Sequence, residues 1–175
     1  MSGHLERLRA RIRDIPDFPK PGVTFKDITP LLADEVAFST TIDEIVVHFG
    51  RGSIDKVVGI EARGFIVAAP VAYHFGAGFV PVRKHGKLPW DVEEEAYSLE
   101  YGEETLQIHR DGIAEGERVA VVDDVLATGG TASATARLVE RLGGKVIGFA
   151  FIVELGFLGG REKLAGYDIL SLVTY

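Results

Sequence analysis

The sequence contains no cysteine, which excludes disulfides and thiolate metal sites and is compatible with a reducing compartment. It also lacks a positive excess. Its 19 Lys and Arg stand against 26 Asp and Glu, a net charge of −7. General nucleic-acid binders and membrane-surface binders need a basic face, so neither class is expected. An acidic chain can still hold a small anion where its few cations converge. No apolar run approaches the ~20 residues of a membrane span, and the charged stretch from Met1 to Asp14 has no apolar core of the kind a signal peptide needs. Internal repeats, low-complexity tracts and linkers are missing as well. What remains is a chain of 175 residues, 46% hydrophobic, with a mean hydropathy of +0.15. That suits one compact cytoplasmic domain with a full core and is too hydrophobic for disorder. The 21 glycines point to many tight turns, some of them candidate phosphate loops.

Hydrophobic periodicity outlines the elements. Leu5, Leu8 and Ile12 recur at helical spacing. Pro16, Pro19 and Pro21 forbid a continuous helix, so residues 15–28 should form an extended or looped segment lying on the domain. Ser39, Thr40 or Thr41 is expected to cap a helix with Ile42, Ile45, Val46 and Phe49 on its apolar face, ending at Gly50. Val57–Ile60 reads as a buried strand, Phe65–Phe75 as a helix and Phe79–Val82 as a strand. Residues 83–96, polar and acidic, suggest a long mobile loop. A hairpin should follow, its arms at residues 96–101 and 105–109. Val119–Val122 is a second buried strand, Asp123–Gly130 a loop, Thr131–Leu142 a helix and Val146–Val153 a strand, with one more strand near residues 167–173. Strands alternating with helices predict an α/β fold with a mostly parallel central sheet flanked by helices. Ligands in such sheets bind beyond the carboxyl ends of the strands, here residues 61–64 and 123–131.

The second of these stretches carries the chemistry. In Val119-Ala-Val-Val-Asp-Asp-Val-Leu-Ala-Thr-Gly-Gly-Thr131 a buried strand runs into two acids, a glycine loop and a helix start. A helix N-terminus offers free N–H groups and partial positive charge. Gly129 and Gly130 let backbone curl around a phosphate, Thr128 and Thr131 add hydroxyl donors, and Ala127 is counted with them among the candidate ribose-phosphate residues. The G-K-[ST] of a Walker loop is missing, as is G-x-G-x-x-G. Asp123 and Asp124 precede the glycines, so they are placed to accept hydrogen bonds from the hydroxyls of a ribose whose 5′-phosphate the loop holds. They are also candidates for contact with Mg²⁺, directly or through water. Taken alone, an Asp-Asp pair more often caps a turn. Arg63, after a predicted strand and beside Gly64, suits a strongly charged anion. Arg83, Lys84 and Lys87 are either a solvated face or a clamp on that anion. Phe25, in the proline-rich segment, is either packing or a stacking platform for a flat base.

The block at 119–131 resembles the 5-phosphoribosyl-1-pyrophosphate (PRPP) motif of type I phosphoribosyltransferases. Residues 15–28, Glu61-Ala-Arg-Gly-Phe65, Arg83-Lys84 with Gly86-Lys-Leu-Pro89, and Tyr97-Ser-Leu-Glu-Tyr-Gly102 are similar to the adenine-specific members, so the resemblance runs along nearly the whole chain. Lys26 stands where many members have Arg, which keeps the charge but not the planar fork. The resemblance implies a type I phosphoribosyltransferase fold over residues 1–175, with residues 1–30 as a hood over the base site and a long catalytic loop. It implies transfer of the 5-phosphoribosyl group from PRPP to adenine, giving AMP and pyrophosphate, with Mg²⁺ as cofactor and a homodimer as the working form. It makes Glu61, Ala62, Arg63, Arg83, Lys84 and Lys87 the pyrophosphate residues, with an unusual cis peptide at 61–64. Arg83 is implied to serve the partner's site. Glu100 becomes the acid–base group, with Arg63 and Arg83 as further catalytic residues. Val23, Thr24, Phe25, Lys26 and Tyr101 surround the adenine. Two alternatives stay open: the same chemistry on hypoxanthine, guanine or xanthine, and a PRPP-sensing regulator that lost catalysis.

Overall fold

The apolar run at Val57–Ile60 lies in β3 (Lys56–Ile60), near the centre of a seven-stranded sheet. The computed structural model describes residues 3–99 and 102–175. A short helix, α1 (Gly3–Arg9), leads into a two-stranded antiparallel ribbon of β1 (Arg13–Ile15) and β2 (Phe25–Asp27). Next come α2 (Thr29–Ala33), α3 (Glu35–Phe49), β3, α4 (Arg63–Phe75) and β4 (Gly78–Lys84). The remainder is β5 (Val92–Leu99), β6 (Gly102–His109), β7 (Arg118–Leu126), α5 (Gly130–Arg141), β8 (Lys145–Glu154) and β9 (Asp168–Thr174). In the large sheet the order is β5-β6-β4-β3-β7-β8-β9. The pairs β3–β4, β3–β7, β7–β8 and β8–β9 are parallel, while β4–β6 and β5–β6 are antiparallel. The predicted mostly parallel α/β architecture is therefore the observed one.

Successive strand side chains point to opposite faces, and the continuous Val-rich runs split accordingly into two cores. Val57, Ala120, Val122, Ala150 and Ile152 pack on one face with residues of α1 to α4. Val58, Ile60, Val119, Val121, Phe149 and Phe151 pack on the other with α5. Two glycines end helices where expected: Gly50 follows α3 at φ 77°, and Gly76 follows α4 in the left-handed region at φ 68°.

Four boundaries differ from the sequence reading. The helix expected to be capped at 39–41 starts earlier. Asp34 is its N-cap, accepting the Ala37 N–H at 2.9 Å, and Thr41 donates back to Ala37 O inside the helix. The proline-rich stretch contains the β1–β2 ribbon. Much of the loop expected at 83–96 is strand, since β5 begins at Val92 and pairs with β6 down to Leu99 opposite Gly102. Finally, the loop expected from Asp123 begins later. Strand β7 runs on to Leu126 because β8 supplies partners for it, Asp123 facing Phe151 and Leu126 facing Glu154.

Candidate active site

Strands β3 and β7 are parallel neighbours, with Gly59 in register with Val122, so the segments that leave their carboxyl ends emerge side by side. After β3 the chain turns through a cis Glu61–Ala62 peptide into the first turn of α4. Gly64 makes this close approach possible. A Cβ there would lie 2.7 Å from Asp123 Oδ1. After β7, Gly129 (φ 76°) caps α5, and residues 127–132 curl into a small cradle of about 70 Å³ at that helix's N-terminus. A larger cavity of about 410 Å³ adjoins it and shares Asp123, Val125, Ala127 and Thr131 with it.

The larger cavity is lined by Val23, Thr24, Phe25 and Lys26 from the ribbon, Glu61, Ala62 and Arg63 from the β3–α4 turn, and Lys84 from the end of β4. Asp123 and Asp124 complete that wall from β7. Thr128, Gly129 and Gly130 line only the cradle. Arg83 and Lys87 line neither, but both reach Glu61, at 3.2 and 2.5 Å, and Glu61 also accepts the Lys84 N–H at 2.7 Å. Burial pushes the Glu61 carboxyl up, yet Lys87, the Lys84 N–H and the Arg83 charge together bring it below its ordinary range. Arg83 thus contacts an acid of its own chain. Glu100 and Tyr101 lie outside the described residues.

The two acids of β7 are electrically unlike the rest. Asp123 accepts the Asp124 N–H at 2.9 Å. Its carboxyl is pushed well above the ordinary 3.8, by burial first and by the adjacent Asp124 carboxylate second. Asp124 is 5% exposed. Arg63 Nε lies 2.6 Å from Asp124 Oδ2, but its N–H is not aimed there, and among the described residues that buried oxygen accepts no hydrogen bond. The Arg63 guanidinium instead faces the Phe25 ring, 5.0 Å from its centroid, while Phe18 packs edge-on against Phe25 at 5.3 Å. Lys26 is pinned by Asp14 at 2.6 Å and lies 3.8 Å from the Tyr175 ring centroid. No group of three or more His, Cys, Asp or Glu able to cage a metal exists among the described residues. A hard cation that takes one or two protein carboxylates, and completes its shell with water and substrate oxygens, fits the Asp123 and Asp124 carboxyls, where Asp124 Oδ2 accepts no hydrogen bond and its charge contact is Arg63.

Several lining residues were not singled out from the sequence: Ile60, Tyr97, Glu104, Leu106, Val125 and Leu155. Leu155 directly follows β8, so the strand-end rule covers it. Tyr97 and Glu104 are cross-strand partners in the β5–β6 hairpin. Their meeting in the cavity depends on how that hairpin lies over α5.

The phosphoribosyl transferase domain family matches residues 29–166. Adenine phosphoribosyltransferase of Salinispora arenicola is 61% identical over 169 residues, which is 97% of this chain and 90% of that protein. The crystal structure of the Rhodothermus marinus adenine phosphoribosyltransferase superposes with a TM-score of 0.95 at 49% identity, covering 100% of both chains. The chain belongs to the adenine phosphoribosyltransferase family. Its fold is that of the type I phosphoribosyltransferases, and its reaction is transfer of the 5-phosphoribosyl group from PRPP to adenine, giving AMP and pyrophosphate. The Saccharomyces cerevisiae enzyme, 36% identical with a TM-score of 0.93 over 98% of this chain and 99% of that one, was solved with adenine and an imino-altritol bisphosphate.

Proposed function

We propose that the adenine transfer is carried out in the paired cavities at the carboxyl ends of β3 and β7, on a single domain whose first 30 residues form a hood over the base. The observation that carries this reading is the convergence of the ribbon, the β3–α4 turn, Lys84 and the acids of β7 on one cavity that opens into a glycine cradle. In the proposal, residues 127–131 hold the 5′-phosphate with backbone N–H groups and the Thr128 hydroxyl, and with the Thr131 hydroxyl when it turns from Tyr97 to the phosphate. Asp123 and Asp124 accept hydrogen bonds from the ribose hydroxyls. Arg63, Lys84 and Lys87 receive the pyrophosphate, with Glu61 keeping the cations in place and Ala62 leaving room for the leaving group.

Phe25 stacks on adenine, with Val23, Thr24 and Lys26 beside it. The ammonium of Lys26 is already engaged with Asp14, so its backbone is the part available to the base. Arg63, whose guanidinium faces the Phe25 ring, leaves that face when pyrophosphate draws it away. Glu100 is assigned the acid–base role and Tyr101 the closing of the site on sequence motif alone. Substitution at the anomeric carbon passes through an oxocarbenium-like state, and a placed carboxyl that handles the adenine proton contributes about 10²–10⁴-fold. We propose Mg²⁺ as the cofactor, held by Asp124 and Asp123. Bound there it would neutralise charge on the departing pyrophosphate.

A homodimer is the proposed working form, with Arg83 serving the partner's site. On α4, Ile66, Ala69 and Tyr73 form an outward stripe, Ile66 46% and Tyr73 83% exposed, and Phe79 nearby is also exposed. Exposed apolar surface of this kind marks an interaction face. Sedimentation of the Tyr73→Glu protein should give a monomer, and an unchanged dimer would move the interface elsewhere. A cytoplasmic setting accords with the cysteine-free sequence. The test of the site is calorimetry on Asp123→Asn/Asp124→Asn. Affinity for PRPP and for AMP should fall together, and unchanged affinity for both would remove these acids from the ribose site.

A further inference from the structure

A chain of polar contacts crosses the cavity and joins its two phosphate ends. The Thr131 hydroxyl, at the cradle, donates to Tyr97 Oη at 3.1 Å. The Tyr97 hydroxyl donates to Glu104 Oε2 at 2.7 Å. Glu104 Oε1 pairs with the Lys84 ammonium. Tyr97 is 8% exposed, and burial with the adjoining Glu104 charge pushes its phenol up to about 12, so it stays a neutral donor. The Lys84 ion pair, with the Tyr97 hydrogen bond, holds Glu104 below its ordinary range, so it is ionised.

We infer that Glu104 is a positioning residue that competes with pyrophosphate for Lys84 and so sets how tightly the leaving group is held. The inference rests on the reading of Lys84 as a pyrophosphate ligand. An ammonium already paired with a carboxylate must give up part of that contact before it can serve a second anion. Two donors that share one carboxylate draw on the same negative charge, so the hydrogen bond that Glu104 accepts from elsewhere weakens its hold on Lys84. Tyr97 supplies such a bond, so the two residues should act on pyrophosphate in opposite directions. That sign separates competition from simple support. If Glu104 only steadied Lys84, removing its charge would loosen pyrophosphate.

The experiment is titration of the full-length protein with magnesium pyrophosphate, and separately with AMP, for wild type and three variants. Glu104→Gln should bind pyrophosphate about two- to fivefold more tightly, the range expected for a partly exposed ion pair, with AMP affinity unchanged. Tyr97→Phe, which leaves Glu104 with one donor fewer, should bind pyrophosphate more weakly. Lys84→Met should weaken it most. Looser or unaltered pyrophosphate binding in Glu104→Gln, or an equal change for AMP, would overturn the inference while leaving Lys84 as a ligand. No effect of Lys84→Met would instead remove Lys84 from the pyrophosphate site and the inference with it.

Discussion

Asp123 illustrates how a residue proposed to serve the ligand can weigh on the stability of the free protein. Its carboxyl is held well above the ordinary 3.8 by burial and by Asp124. A raised value in the folded state means that folding favours the neutral acid. This disfavours the fold increasingly as pH rises from the ordinary value through the raised one, and not at all below it. Asp123→Asn should therefore raise the melting temperature at pH 7.5, by about 2–4 °C for each kcal/mol relieved in a chain of this size. The gain over wild type should vanish as pH falls below about 4. Thermal scans across that range check it, and a variant less stable than wild type at pH 7.5 would contradict it. Legibility in the sequence also divides at this scale. Asp123 to Thr131 could be recognised because the proposed phosphate and ribose contacts fall on consecutive residues of one strand–loop–helix. Glu104 and Tyr97 could not, because they gain meaning only from cross-strand pairing and from Lys84 at the end of another strand.

Among the elements, β5 shows most clearly what local reading misses. Its acids suggest a solvated loop, yet Glu93 and Glu95, two apart and hence on one face, pair with Arg137 and Arg141 on α5, and Glu93 also with Arg110. Glu94, on the opposite face, meets Gln107 and His85. The stretch is a strand because its charges have partners distant in sequence. The cradle depends on a similar neighbour. After β8, a turn spanning Gly160–Leu164 is tied down by Arg161, which binds the buried Glu154 through two hydrogen bonds of 3.0 and 2.6 Å. That places Gly160 against the backbone of Ala127 and Gly129, where a Cβ would collide with the Ala127 carbonyl. Backbone cannot yield as a side chain can, so Gly160→Ala should displace the cradle. The KM for PRPP should rise at least about tenfold, a loss of roughly 1.4 kcal/mol, while the melting temperature falls only modestly. Steady-state kinetics at varied PRPP would refute this by returning the wild-type KM.

For the molecule as a whole, the fold and the reaction fit one another simply. The parallel strands β3 and β7 deliver Arg63 and the two acids to one edge, β4 brings Arg83 and Lys84 beside them, and the antiparallel hairpin and the N-terminal ribbon enclose that edge from either side. The net charge of −7 is no obstacle to binding a highly anionic sugar phosphate, because Arg63 at Asp124, Arg83 and Lys87 at Glu61, and Lys84 at Glu104 bring four cations to this edge. The alternation of strands and helices was evident from hydrophobic runs. The strand order, with β6 inserted beside β4, was not, since antiparallel addition leaves no periodic trace. The most direct test of the account is an assay of PRPP consumption with adenine, hypoxanthine, guanine and xanthine offered separately, with and without Mg²⁺. Nucleotide formed from adenine alone, and only with the metal, is the predicted result. Nucleotide from another base, or none from adenine, would contradict it.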